Sequence, residues 1–204
     1  MSDEIQALLL ATGNTGKVRE MEDLLAGRPV TIRTLQDFPD LSPVDETGTT
    51  FRENAELKAI GYAMQTGEFA LADDSGLEVE ALGGAPGVYS ARYAGQGAAY
   101  DIKMTRLLDE LDATGDAARR ARFVCAMAIA DPKGQLVAVT EGVCPGVIAT
   151  SPRGAGGFGY DPVFIPDGFD LTFGELDQRV KQGISHRSRA AKLIMRYLPD
   201  FIAV

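Results

Sequence analysis

The stretch FALADDSG, residues Phe69–Gly76, changes from wholly apolar to acidic within two positions. Its first half, Phe69–Ala72, predicts a short buried strand. We expect the backbone to turn at Gly76, after which the alternating residues Leu77–Leu82 predict a second, half-buried strand. Two adjacent carboxylates repel each other unless a cation neutralises them, and carboxylate oxygens suit Mg²⁺. Taken alone, the stretch favours an ordinary Asp-Ser-Gly turn; together with the motifs around it, it predicts a magnesium site.

Composition limits the class of protein. The 204 residues carry a net charge of −9 and 45% hydrophobic residues, which fits one domain with a real core and argues against a nucleic-acid partner. With only Cys125, Cys144 and the single His186, neither a disulfide scaffold nor a Cys/His zinc cluster is expected. No signal peptide or membrane span is evident. We expect a soluble, cytoplasmic protein from a reducing compartment, with no membrane partner.

The N-terminal segment predicts a strand, a loop and a helix. Ala7–Ala11 is apolar throughout, Thr12–Lys17 reads TGNTGK, and an amphipathic helix follows to about Ala26. Free backbone N–H groups at such a helix start favour an anion. The loop is not a Walker A motif, because Val18 stands where Ser or Thr would bind magnesium. An Asn-capped turn and a phosphate loop are both open at this point.

A second helix is predicted after a strand at Val30–Leu35 and a long loop. Thr50–Glu53 matches a capping box, and the helix should run to about Thr66. Asn54 and Lys58 share one face of it. Glu46, just before the helix, is either a metal ligand or an acid that complements the helix dipole. The predicted buried stripe consists of Phe51, Ala55, Ala59, Tyr62 and Ala63.

The C-terminal half predicts a mixed sheet and a ligand-binding loop. Strands at Arg122–Ala130 and Gln135–Glu141 form a hairpin, so the sheet cannot be purely parallel. Arg153–Pro162 contains a formal GxGxxG, but its proline excludes the helix that a Rossmann fold needs. A glycine-rich loop with aromatic rings instead suits a flat ligand.

Two last helices follow, the first predicted over Leu171–Gln182. Ser185 should begin the second, with Ala190, Ala191, Ile194, Tyr197 and Leu198 facing the core. Cations at His186 and Arg187 oppose the helix dipole. They indicate an anionic or acceptor-rich ligand, or else simple surface solubility.

Five motifs together resemble the inosine triphosphate pyrophosphatase family, and the resemblance spans Leu8–Leu198. They are Thr12–Lys17, Glu46–Phe51 with Glu53–Ala55 and Lys58–Ala59, Ala72–Leu77, Gly157–Pro162, and Ser185–Arg187.

The resemblance implies a fold and an activity. The fold is α/β, a single two-lobed domain over residues 1–204, with a mixed β-sheet flanked by helices and an active-site cleft between the lobes. The activity is hydrolysis of non-canonical purine nucleoside triphosphates (ITP, dITP, XTP) to the monophosphate and pyrophosphate. A homodimer and a Mg²⁺ cofactor are also implied.

The resemblance also assigns roles to residues. Those implied to hold the phosphates are Thr12, Gly13, Asn14, Thr15, Gly16 and Lys17, with Lys58 and Lys181 neutralising their charge. Those implied for the metal are Glu46 and Asp74, supported by Asp73, and Asp74 is also the implied base for the attacking water. Those implied to enclose the sugar and base are Ser75, Phe158, Gly159, Tyr160, Asp161, His186 and Arg187.

Two other functions remain open from the sequence. One is a nucleotide-binding sensor that does not hydrolyse its ligand, although both Asp74 and Glu46 are present. The other is a metal-dependent phosphatase acting on sugar phosphates or pyrimidine nucleotides. Release of pyrophosphate rather than orthophosphate distinguishes the leading hypothesis from the second alternative.

Overall fold

A computed structural model describes residues 7–28 and 30–197. Its sheet has six strands in the order β2-β1-β3-β4-β5-β6. The strands are β1 (Ala7–Leu10), β2 (Thr31–Thr34), β3 (Phe69–Val79), β4 (Arg120–Ala130), β5 (Leu136–Ile148) and β6 (Phe164–Pro166). β1 pairs in parallel with β2 and β3, whereas β5 and β6 are antiparallel. The predicted mixed α/β sheet is therefore confirmed.

Several of the α-helices begin and end close to the residues predicted from the sequence. They are α1 (Thr15–Leu25), α2 (Phe51–Thr66), α3 (Tyr100–Thr114), α4 (Gln178–Ile184) and α5 (His186–Ile194). At the start of α2, Thr50 and Glu53 form the predicted capping box, each side chain accepting from the other's backbone N–H. All five residues of the predicted α2 stripe are buried. The predicted amphipathic pattern thus positions α2 correctly.

Contacts divide the chain into two units, each with its own core. The first unit comprises Met1–Asp74, Cys125–Gly142 and Ser188–Val204, and the second Ser75–Val124 and Val143–Arg187. The core of the first packs leucines of β1 against α1, α5 and the end of β4. The core of the second packs α3 against aromatic residues of β4 and β6. β3 passes from one unit to the other between Asp74 and Ser75.

The predicted turn at Gly76 is wrong. β3 runs without interruption from Phe69 to Val79, and residues 80–82 form a 3₁₀ turn rather than the end of a second strand. The sequence suggested a break because two carboxylates are costly in a buried strand. In the structure both are buried but partnered, Asp73 by Lys17 and Asp74 by Asn54. Partnered acids need not end a strand.

The helix predicted over Leu171–Gln182 starts too early. It begins at Gln178, where the Asp177 side chain accepts from the N–H of Arg179. The backbone before it already forms other hydrogen bonds. Phe173 N–H donates to the carbonyl of Phe164, and Gly174 N–H donates to the carbonyl of Asp161. Backbone donors used in this way cannot build a helix.

Three smaller expectations also differ. Tyr197, predicted to face the core, is 44% exposed, while Ala190, Ala191 and Ile194 are buried as expected. Leu198 lies outside the described residues. The strand predicted over Gln135–Glu141 instead runs from Leu136 to Ile148. The second strand ends at Thr34, and Leu35 begins a 3₁₀ turn. Within the described residues, no helix has the length and apolar character needed to cross a membrane.

Candidate active site

The TGNTGK loop ends in an Asn-capped helix. Asn14 Oδ1 accepts from the backbone N–H groups of Gly16 (2.9 Å) and Lys17 (3.2 Å). The first turn of a helix has N–H groups without intrahelical partners, so the cap satisfies two of them. Within the described part of the chain, no protein acceptor binds the N–H groups of Gly13 and Thr15. Asn14 therefore caps the helix, and the N–H groups of Gly13 and Thr15 are the donors of this loop that an anion could use.

Lys17 turns its side chain from this loop to the neighbouring strand. Its Nζ lies 3.0 Å from Asp73 Oδ2, and both side chains are largely buried. Cys125 Sγ lies 3.9 Å from the same oxygen. Asp73, predicted to support the metal, therefore holds the loop lysine next to β3.

Asp74 lies beside the face of α2 that carries Asn54 and Lys58. Asn54 Nδ2 donates to Asp74 Oδ2 at 3.0 Å, and Lys58 Nζ lies 3.8 Å from Asp74 Oδ1. The same Nζ is 2.9 Å from Glu46 Oε1. One ammonium thus approaches carboxylates from two separate segments. We call Lys17, Glu46, Lys58, Asp73 and Asp74 the charged cluster.

Burial and neighbouring charges act in opposite directions on the pKa values of this cluster. It raises the pKa of Asp74 above its usual value, and the charges of Lys58 and Lys17 with the Asn54 hydrogen bond offset only part of that effect. Burial alone would lower the pKa of Lys58, but Asp74, Asp73 and Glu46 outweigh it and raise that pKa. Lys58 therefore stays cationic, and Asp74 is a stronger proton acceptor than an exposed aspartate.

Two carboxylates of the charged cluster could hold a magnesium ion. Across residues 7–28 and 30–197, no group of three His, Cys, Asp or Glu side chains is placed to hold a metal without other ligands. Mg²⁺ is usually held by one or two carboxylates together with substrate phosphates and water. Glu46 and Asp74 would supply two such carboxylates. They lie close enough together for one cation, Lys58 Nζ, to be within 4 Å of both.

In the second unit, the carboxylate of Asp161 contacts Phe158 and Lys181. Its Oδ2 lies 2.6 Å from Lys181 Nζ and accepts from the backbone N–H of Phe158 at 2.8 Å. Lys181 Nζ is also 4.9 Å from the Phe158 ring centroid. Lys181 was predicted to neutralise phosphate charge, but it is paired with Asp161. Each of the two side chains is only 3% exposed.

His186 and Arg187 begin α5 but are buried, so surface solubility does not explain them. The His186 ring stacks on Phe123 at 4.6 Å with an interplanar angle of 10°. Arg187 Nη2 donates to Ser75 Oγ at 2.8 Å, and its guanidinium lies 5.5 Å from the Phe158 centroid. We call Phe158, Asp161, Lys181, His186 and Arg187 the aromatic cluster.

Tyr160 was also predicted to contact the base, but its hydroxyl binds a backbone group of the second unit. It is buried, its hydroxyl donates to the carbonyl of Ser90 at 3.0 Å, and burial raises its pKa. Gly159 has φ of +69°, which only glycine adopts without strain.

Sequence reasoning missed several residues of these clusters. Asn54 was placed on the right helix face but given no role, although its spacing from Lys58 was a usable signal. Ser90 and Phe123 support Tyr160 and His186 from distant parts of the chain. Such contacts between distant segments have no local sequence signal.

Comparison with known proteins identifies the relatives of this chain. The Ham1 family model matches residues 8–197. A protein of Gloeobacter violaceus named dITP/XTP pyrophosphatase is 51% identical, covering 92% of each chain. The solved structure of a HAM1 protein from Coxiella burnetii matches with TM-score 0.88 and 39% identity, covering 96% of this chain and 100% of that one. That of the Staphylococcus aureus Ham1 protein matches with TM-score 0.85 and 37% identity over 96% and 99%.

These matches cover nearly all of the described chain, including every motif of the charged and aromatic clusters. The chain belongs to the Ham1 family.

Proposed function

We propose that this protein hydrolyses non-canonical purine nucleoside triphosphates (ITP, dITP and XTP) to the monophosphate and pyrophosphate. The observation that carries the proposal is the charged cluster, in a chain about half identical to proteins named dITP/XTP pyrophosphatase. Asp74, a buried carboxylate with a raised pKa, lies there 3.8 Å from the ammonium of Lys58, and the adjacent Asp73 pairs with Lys17. That combination is suited to breaking a phosphoric anhydride.

Mg²⁺ is the proposed cofactor, held by Glu46 and Asp74. When bound it would neutralise phosphate oxygens and acidify a water molecule. Asp74 has the role of accepting the proton of the attacking water, since Asn54 fixes one of its oxygens and burial strengthens it as a base. Asp73 positions Lys17 by the 3.0 Å ion pair.

The lysines of the charged cluster bind the triphosphate. Lys17 and Lys58 offset the charge that collects on pyrophosphate as it leaves, because ammonium groups near developing negative charge stabilise it. The N–H groups of Gly13 and Thr15, at the positive end of α1, add two uncharged donors.

The aromatic cluster selects the base. Arginine donates and never accepts, and histidine can donate. Hypoxanthine and xanthine carry an oxygen at position 6, which satisfies such donors, whereas adenine carries an amino group there. Guanine also carries an oxygen at position 6, so the site must exclude it through contacts with its 2-amino group. Lys181 acts here by holding Asp161 rather than by contacting phosphate.

A panel of triphosphates with Mg²⁺, analysed for both products, tests the proposal. ITP, dITP and XTP should release pyrophosphate, and ATP and GTP should be slower, by up to about 10⁴-fold for ATP if a required hydrogen bond rejects it. Release of orthophosphate from the same substrates would contradict the proposal and favour a phosphatase.

We further propose a homodimer that acts in the cytoplasm, where the nucleotide pool is. Light scattering of the purified chain tests the dimer, and a monomer at micromolar concentration would contradict it.

A further inference from the structure

Tyr100, the first residue of α3, has no role in the proposed chemistry yet borders the aromatic cluster. Its ring lies edge-on to Tyr160, with centroids 5.5 Å apart and an interplanar angle of 88°. A Cβ added to Gly159 would lie 3.6 Å from Tyr100 Cε1 and 4.0 Å from its hydroxyl oxygen. The hydroxyl end of Tyr100 therefore lies near Gly159, which stands between Phe158 and Asp161 in the chain.

The charged groups around Tyr100 are those assigned to the base. Burial raises the pKa of its phenol, the charge of Asp161 raises it further, and Arg187 opposes them. Lys103, which is 4% exposed, places Nζ 4.2 Å from the ring centroid. The phenol consequently keeps its proton at neutral pH and is able to donate it in a hydrogen bond.

Among the residues that the structure describes, the hydroxyl of Tyr100 has no protein partner, unlike the hydroxyls of its neighbours. Tyr160 donates to Ser90 and Tyr93 to Glu110. No hydrogen bond of the Tyr100 hydroxyl is found within the described residues. A half-buried donor is unfavourable when it has no acceptor, so a water or a ligand must supply one.

We propose that the Tyr100 hydroxyl donates a hydrogen bond to the 6-oxo group of the bound purine, making Tyr100 a base-binding residue alongside Arg187. The inference rests on the proposed function, because it takes the base to bind at the Phe158–Asp161 segment. The phenol O–H can donate to the 6-oxo oxygen of hypoxanthine or xanthine, whereas a purine with no group at position 6 offers no acceptor there.

Binding to the metal-free protein tests the proposal without relying on turnover. Calorimetry measures Kd for inosine monophosphate and for purine riboside monophosphate, which has no exocyclic oxygen. Tyr100→Phe removes only the hydroxyl. It should raise Kd for inosine monophosphate about 5- to 10-fold, the scale of one hydrogen bond, and leave Kd for purine riboside monophosphate within about twofold. Tyr89→Phe, which removes an exposed phenol of the same unit, is the matched control and should change neither.

The melting temperature separates recognition from structure. Because no described protein hydrogen bond is lost, Tyr100→Phe should melt as the parent protein does. An unchanged Kd for inosine monophosphate, an equal loss for both nucleotides, or a clear fall in melting temperature would each overturn the proposal. A wild-type protein that binds inosine monophosphate but releases no pyrophosphate from ITP would overturn the proposed function instead.

Discussion

The charged and aromatic clusters both contain buried lysine–aspartate pairs, but the surroundings of the pairs differ. In the charged cluster Lys58 is close to two carboxylates at once, at 2.9 and 3.8 Å. In the aromatic cluster Lys181 Nζ lies 2.6 Å from Asp161 Oδ2 and beside the Phe158 and Phe173 rings. A lysine shared among acids can exchange one of them for phosphate. A lysine enclosed by rings is fixed, which favours recognition by shape over charge neutralisation.

Metal removal should have the largest effect, because it acts on the charged cluster alone. Excess EDTA is expected to lower turnover of ITP by at least about 1,000-fold, since a Lewis acid supplies several kcal/mol of transition-state stabilisation. Added Mg²⁺ should restore it. Binding of inosine to the aromatic cluster should be unaffected by EDTA. Full turnover in chelator would remove the metal from the mechanism.

Asp74→Asn should have the next largest effect. Asparagine keeps the shape but cannot accept the proton, so kcat should fall by about 100-fold or more. Asp109→Asn changes an exposed aspartate in the second unit and serves as the control. If Asp74→Asn is active, the base is another carboxylate, with Glu46 and Asp73 next to test.

Arg187→Ala should change selectivity rather than the chemical step. The ratio of kcat/KM for ITP over ATP is expected to shrink by about tenfold or more, because a charge-assisted hydrogen bond is lost. Arg179→Ala, at an exposed arginine of the same unit, should leave the ratio unchanged. Arg187 is buried, so melting curves and the milder Arg187→Lys accompany the measurement. An equal loss on both substrates would make Arg187 a phosphate-binding or structural residue.

The smallest of the expected effects is a shift in titration, which Lys58→Met should cause in the metal-free protein. Burial raises the pKa of Asp74 and Lys58 lowers it, so removing the ammonium should raise that pKa further. In the metal-free protein the Asp74 carboxyl would then lose its proton at higher pH than in the parent, as followed by carbon NMR. Lys133→Met, in the exposed β4–β5 turn, should not shift it. A downward shift with Lys58→Met would contradict the charge assignment.

The sequence predicted those features that local chemistry determines. The α2 capping box, the apolar β1 and the rejection of a Rossmann helix after Gly159 all depend on nearby residues. The continuation of β3 through Asp73 and Asp74 was missed because it depends on partners from α1 and α2. The Asn14 cap was one of two open readings, and only the distances to Gly16 and Lys17 decide that it forms.

The same distinction explains the predicted residues of the second unit. Phe158, Asp161 and Arg187 were named from motifs, yet their neighbours Phe123 and Tyr100 come from β4 and α3. A motif identifies residue types that suit a ligand. It does not identify the residues from other segments that hold them in place, since those are brought near only by the fold.

Gly157 shows how a position without a side chain can be as constrained as a charged one. Its φ is +72°, and a Cβ there would lie 2.0 Å from Asp161 Oδ2, the oxygen that holds both Lys181 and Phe158. Every missense change in the glycine codon adds a Cβ at that point. In a mutational scan selected for nucleotide-pool cleansing, codon 157 should therefore tolerate almost no amino-acid replacement. Such a scan would identify the aromatic cluster through a residue that contributes no functional group to it.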